Sequence, residues 1–179
     1  MSIFDNLNSN LENWCNKNGI KDINVKAGID FFYNPTMKSV TYAIMTTSEM
    51  EKTDTDFLQF FYEYGEVDGI GCSVLSFLHE VGHFMTLHLF SKSEKDTAKA
   101  YKTTIVPSIK DRHERNYAYW LNPIEFAANV WVIEFIKNYY DAVIELGNIF
   151  QLELNSLYDN YYEELVEFID ELNNFNEEF

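Results

Sequence analysis

The chain has 179 residues, 46% of them apolar and 17% aromatic, with a formal net charge of −16. That length and apolar content fit one folded domain and exclude a disordered chain. The acidic excess argues against nucleic acid or an anionic membrane as the main partner, and it is uneven: no Lys or Arg follows Lys137, while residues 138–179 hold 11 acidic groups.

Two lone cysteines, Cys15 and Cys72, make no disulfide framework, which points to a reducing compartment. Residues 1–10 lack the basic and apolar regions of a secretion signal, and no apolar run has the roughly 18 residues of a membrane span. A cytoplasmic location is expected, and no internal repeat is visible.

Taken in order, Ile3, Phe4, Leu7, Leu11 and Trp14 recur at helical spacing, and Gly19 ends that segment. The period then changes. Ile23–Lys26 alternates, and 29–33 and 40–46 are rich in β-branched and aromatic residues, with Asn34-Pro35-Thr36-Met37-Lys38 between them. This predicts a small antiparallel sheet with a hairpin. Residues 54–64, with Phe57, Leu58, Phe60, Phe61 and Tyr64, read as a short helix ended by Gly65.

Gly69-Ile70-Gly71 breaks the chain again, and Ser73 is a candidate N-cap for a helix that is apolar almost all round, hence buried. That helix carries His79-Glu80-Val81-Gly82-His83, an H-E-x-x-H pattern. At 100° per residue the two histidines lie about 40° apart, one turn up, so both imidazoles can reach one ion. Glu80 sits toward the edge of that face, where it suits a general base acting on water better than a ligand. The plain alternative is a pair of core histidines bonded to backbone. His88 lies on the opposite side and reads as structural.

Ser93-Glu94-Lys95-Asp96 has capping-box character and opens a polar helix to about Lys102. Residues 103–120 are the least regular stretch, with Pro107 and the charged run 110–115. The charged run reads as a solvated loop or helix turn, or else His113, Tyr117 or Tyr119 enters a cleft as a donor to a developing oxyanion. Asn122-Pro123 is a specific start signal for a helix from Ile124 to about Tyr140. Leu154, Leu157, Tyr158, Tyr161, Tyr162, Leu165, Phe168, Ile169, Leu172 and Phe175 then predict an amphipathic C-terminal helix over about 154–175, acidic on its other face.

Two histidines leave a zinc ion one protein ligand short. Glu94, Asp96, Asp111, His113, Glu114, Glu125 and Glu134 are the downstream candidates. Glu125 is favoured because it lies in the first turn of a well-signalled helix, followed by the small residues Ala127 and Ala128. Asn122-x-x-Glu125 is equally a capping-box spacing, and His113 is the main rival.

His79-Glu80-Val81-Gly82-His83 followed by Glu125-x-x-Ala128-Asn129-x-Trp131 resembles the ImmA/IrrE-type metallopeptidases of bacteria, phages and mobile elements. The resemblance covers about a quarter of the chain. It implies a gluzincin-like centre with one zinc per chain, His79, His83 and Glu125 as ligands and Glu80 as catalytic base. Asn129 and Trp131 would hold the second helix against the first. Two departures stand out: Ala127 occupies a position that is often acidic, and 41 residues separate His83 from Glu125.

The expected architecture is α+β in a single zincin-like domain, 1–179, with a small N-terminal sheet, a mostly helical body and an acidic helical extension from about 151. The expected activity is peptide hydrolysis of a protein or peptide substrate, with residues 40–46 as a sheet edge that binds it. Two other readings remain: an acidic interaction module, such as a DNA mimic or a decoy for a basic partner, and a fold whose zinc is structural.

Overall fold

The structure is a computed structural model. It describes residues 2–44, 60, 61, 65, 67 and 69–177, with side chains as far as Leu172. Among the described residues it is a mixed α+β fold, with a small three-stranded N-terminal sheet and a helical body of seven helices of nine residues or more. None of those helices is long and apolar enough to cross a membrane.

Helix α1, Asp5–Lys17, buries Leu7, Leu11, Trp14 and Cys15. It stops at Gly19, whose φ of +82° suits a residue without Cβ. There Ile20 N–H reaches Cys15 O and Gly19 N–H reaches Asn16 O, satisfying carbonyls left open by the last turn. Strands β1 (Asn24–Gly28), β2 (Phe32–Asn34) and β3 (Ser39–Ala43) follow.

The sheet is mixed rather than antiparallel. Its order is β1-β3-β2, with β2 and β3 forming the expected antiparallel hairpin and β1 parallel to β3. The short connection over 29–31 reverses the chain between β1 and β2, so a strand antiparallel to β2 must run parallel to β1. The centre goes to β3, which is buried at every residue. The predicted edge over 40–46 is therefore corrected: β3 is paired on both sides, and its predicted end at Met45 and Thr46 lies outside the described residues. Among the described residues the edges are β1 and β2. The outer side of β1 is partly closed by Glu12 of α1, which accepts from Val25 N–H at 2.9 Å. The predicted helix at 54–64 also lies outside the described residues except for Phe60 and Phe61, both buried.

The H-E-x-x-H helix is α2, Cys72–Thr86. Its N-cap is Gly71, so Ser73 sits within the first turn rather than capping it. Next comes α3, Lys92–Ala100, capped by Ser91 with Glu94 at the third position in a full capping box, two residues earlier than the Ser93 reading. The chain stays helical through a π turn at Tyr101–Ile105 and a last turn at Val106–Ser108. Helix α4, Arg112–Trp120, is capped by Asp111, so the charged run opens a helix and 103–120 is more regular than expected. Helix α5, Pro123–Asn138, starts at Asn122 as predicted.

The C-terminal part is two helices, α6 (Tyr140–Asn160) and α7 (Tyr162–Glu177), broken at Tyr161. Residues 151–160 thus belong to a helix that buries Val143, Leu146, Phe150 and Leu157. Trp14 Nε1–H of α1 donates to Ala142 O at 2.8 Å, and Asn6 and Asn10 both donate to Glu153. Trp14 also meets Phe77 and Phe135 edge-on, so one core joins α1, α2, α5 and α6.

Candidate metal centre

Helices α2 and α5 approach very closely at one point, and this sets the geometry of the site. A Cβ on Gly82 would lie 2.7 Å from Ala128 O and 3.1 Å from Ala128 Cα. Glycine on α2 and alanine on α5 are what let the backbones meet. His79 stands one turn before Gly82, His83 directly after it, and Glu125 one turn before Ala128.

His79 and His83 share a face of α2, with ring centroids 4.6 Å apart. His79 is buried, and its ring also meets Trp120 edge-on at 5.8 Å. A ligand atom from each of His79, Glu80 and His83 falls within 4.8 Å of the others, a group that could hold a metal ion. Glu125 enters from α5. Its Oε2 lies 3.2 Å from Nε2 of both His79 and His83. A tetrahedral ion bound at about 2.0–2.2 Å separates its ligand atoms by about 3.3–3.6 Å, so this donor set fits zinc in kind and in spacing.

The tautomer of His79 strengthens that fit. Its Nδ1 is 2.7 Å from Asn129 Oδ1, which can only accept, so Nδ1 carries the hydrogen. That leaves Nε2 as the ring nitrogen that faces the Glu125 carboxylate, and it is the atom a metal ion would take. Burial works to raise the Glu125 pKa, but hydrogen bonds and charge from His79 and His83 outweigh it and hold the carboxyl well below the usual range. Glu80 moves the other way: burial pushes it up, helped by Glu125 and opposed by His79, by a hydrogen bond from Tyr33 N–H and by Lys102.

The other Glu125 oxygen, Oε1, accepts from Lys102 Nζ at 2.8 Å. The sequence reading did not single out Lys102 for the site. Its ammonium also lies 4.5 Å from the centre of the Tyr119 ring. Burial raises the Tyr119 pKa to about 12, with a further push from Glu125 and an opposing pull from Lys102.

Of the sequence candidates, the structure therefore brings together His79, Glu80, His83, Glu125, Asn129 and Tyr119. It leaves His113 and Tyr117 exposed on α4. Glu94 and Asp111 cap their own helices, Glu134 faces Lys137 at 3.6 Å, and Asp96 and Glu114 are exposed. The capping role open to Glu125 is not the one it takes: its carboxylate faces the two histidines and Lys102.

Strand β2 also arrives here. Tyr33 of β2 donates its N–H to the Glu80 carboxylate, and its ring packs edge-on against Phe84 at 5.9 Å. Compared with protein-family models, with curated proteins and with solved structures, the chain matches none.

Proposed function

We propose that this protein is a zinc-dependent metallopeptidase that hydrolyses a peptide bond in a protein or peptide substrate. The observation that carries the reading is the placement of Glu125 Oε2 at 3.2 Å from both histidine Nε2 atoms, where one small cation would complete three protein ligands. His79, His83 and Glu125 would hold the ion, and Asn129 would fix the His79 tautomer. The likeness of the two helical motifs to ImmA/IrrE-type peptidases supports the same assignment.

When bound, zinc supplies a Lewis acid that polarises a carbonyl and acidifies water. Glu80 stands beside the histidines and accepts a hydrogen bond from Tyr33 N–H. It takes the proton of the attacking water and returns it to the leaving amine. Burial raises its pKa above the usual carboxylate value, the direction that favours proton uptake. Tyr119, protonated at neutral pH and packed beside Lys102, is the candidate donor for the charge that develops on the carbonyl oxygen. The edge of β2 is the place for an extended substrate added as a further strand.

The test is hydrolysis of a peptide or protein library by the zinc-loaded protein and by its Glu80→Gln variant. Cleavage by the wild type that falls by about 10²-fold or more in the variant, with zinc retained, supports the reading. Equal cleavage by both would refute Glu80 as the base. A second reading, an acidic module for a basic partner, is favoured by the exposed Leu152, Tyr162 and Val166 among the acidic residues of α6 and α7. Salt-sensitive capture of a basic protein, unaffected by Glu80→Gln, would support it.

A further inference from the structure

The helix that begins at Lys92 widens into a π turn at Tyr101–Ile105, and Lys102 sits in that turn. Two residues explain the widening. Pro107 has no N–H to give to Thr103 O, and its ring crowds that carbonyl in a regular helix. Thr103 Oγ1 in turn bonds back to Lys99 O at 2.9 Å. Single π turns of this kind re-aim side chains and recur at functional sites. The Lys102 stem is exposed, yet its ammonium reaches inward to Glu125 Oε1 at 2.8 Å and lies against the Tyr119 ring.

We propose that Lys102 is a positioning residue of the metal centre: by holding Glu125 Oε1 it confines that ligand to its single free oxygen, Oε2, and so keeps a coordination position open. A free carboxylate can offer both oxygens to an ion. Here one oxygen is committed to an ammonium 23 residues away in sequence, and the other faces both imidazoles. The ammonium lies over the Tyr119 ring, and Asn122, the cap of α5, ties that helix to α3 by donating to Ala98 O at 2.8 Å. The inference rests on the metal site proposed above.

The test is cobalt(II) substitution, read by visible absorption, in the wild type, Lys102→Met, Lys102→Ala and Lys102→Arg, with circular dichroism on each. The wild type is expected to give the intense bands of a four-coordinate ion. In Lys102→Met and Lys102→Ala, Glu125 is expected to bind through both oxygens, weakening the bands several-fold and shifting them to shorter wavelength. Lys102→Arg, which keeps a charged donor, is expected to restore the wild-type spectrum. Spectra of Lys102→Met and Lys102→Ala that superimpose on the wild type would overturn the inference while leaving the metal site standing. Loss of the folded dichroism in both would also overturn it, by making Lys102 a stability element. A wild type that takes up no cobalt would remove the metal site itself, and this inference with it.

Discussion

Gly82→Ala is the sharpest perturbation of the contact that builds the site. In a helix interior this change ordinarily gains about 1 kcal/mol, because alanine has the higher helix propensity. Here the new Cβ would meet Ala128 O at 2.7 Å, against about 3.3 Å for a close carbon–oxygen contact. The obstacle is the backbone of α5, which cannot rotate away as a side chain can. The helices must separate by about half an ångström, at an overpacking cost near the upper end of about 1–3 kcal/mol. The expected net loss is about 2 kcal/mol, or a melting temperature lower by about 4–8 °C in a chain of this size. The same displacement carries Glu125 away from both imidazoles, and a shift of about half an ångström is the tolerance of a preorganised site. Thermal unfolding and zinc competition against a chelating indicator measure the two effects. Gly147→Ala in α6 is the control: its Cβ would meet Val74 Cγ2 at an ordinary 3.7 Å, so it should gain stability, by up to about 1 kcal/mol. Gly82→Ala with unchanged or raised stability and unchanged zinc affinity would refute the close-contact reasoning.

Further outcomes follow from other contacts. Asn129→Ala removes the acceptor for His79 Nδ1–H and should weaken zinc binding by about 10–100-fold, measured by the same competition. Cys15 is buried in the core, and burial with the added charge of Glu12 raises its thiol to about 12. It should therefore escape iodoacetamide at pH 8 while Cys72 is alkylated, as read by mass spectrometry; rapid labelling of Cys15 in the native state would count against the packing of α1. Because the folded-state pKa of Cys15 lies above the unfolded value, its contribution to stability is full below about pH 8.5 and is lost as pH rises toward 12. Denaturant unfolding should show a decline over that alkaline interval that Cys15→Ser diminishes.

The features legible in the sequence are those written in local chemistry. The H-E-x-x-H spacing puts two imidazoles on one helix face, and Asn122-Pro123 marks the start of α5. Glu125 could be favoured because small residues follow it, and Ala128 is the one that touches Gly82. What was missed depends on partners distant in the chain. The parallel pairing of β1 follows from β3 taking the buried centre, which no alternation in β1 records. The break at Tyr161 carries no Gly or Pro, so the apolar spacing runs across it unmarked. Ser91 and Ser93 are equally good caps by type, and only the reciprocal bond with Glu94 separates them. Lys102 is the largest omission. Nothing around it distinguishes it from Lys95 or Lys99, and its partner is on another helix. The available signal was Pro107, five residues on in a helical stretch, which foretells a distorted turn just before it.

The most direct measurement is zinc per chain, by elemental analysis of protein purified without chelator or a metal-binding tag, in the wild type and in Glu125→Ala. One zinc per wild-type chain and marked loss in the variant are predicted, because His79 and His83 alone leave the ion short of a protein ligand. Full zinc in both would move the third ligand away from Glu125. No zinc in the wild type, even after reconstitution, would contradict the proposed metal centre and leave the acidic interaction reading in its place.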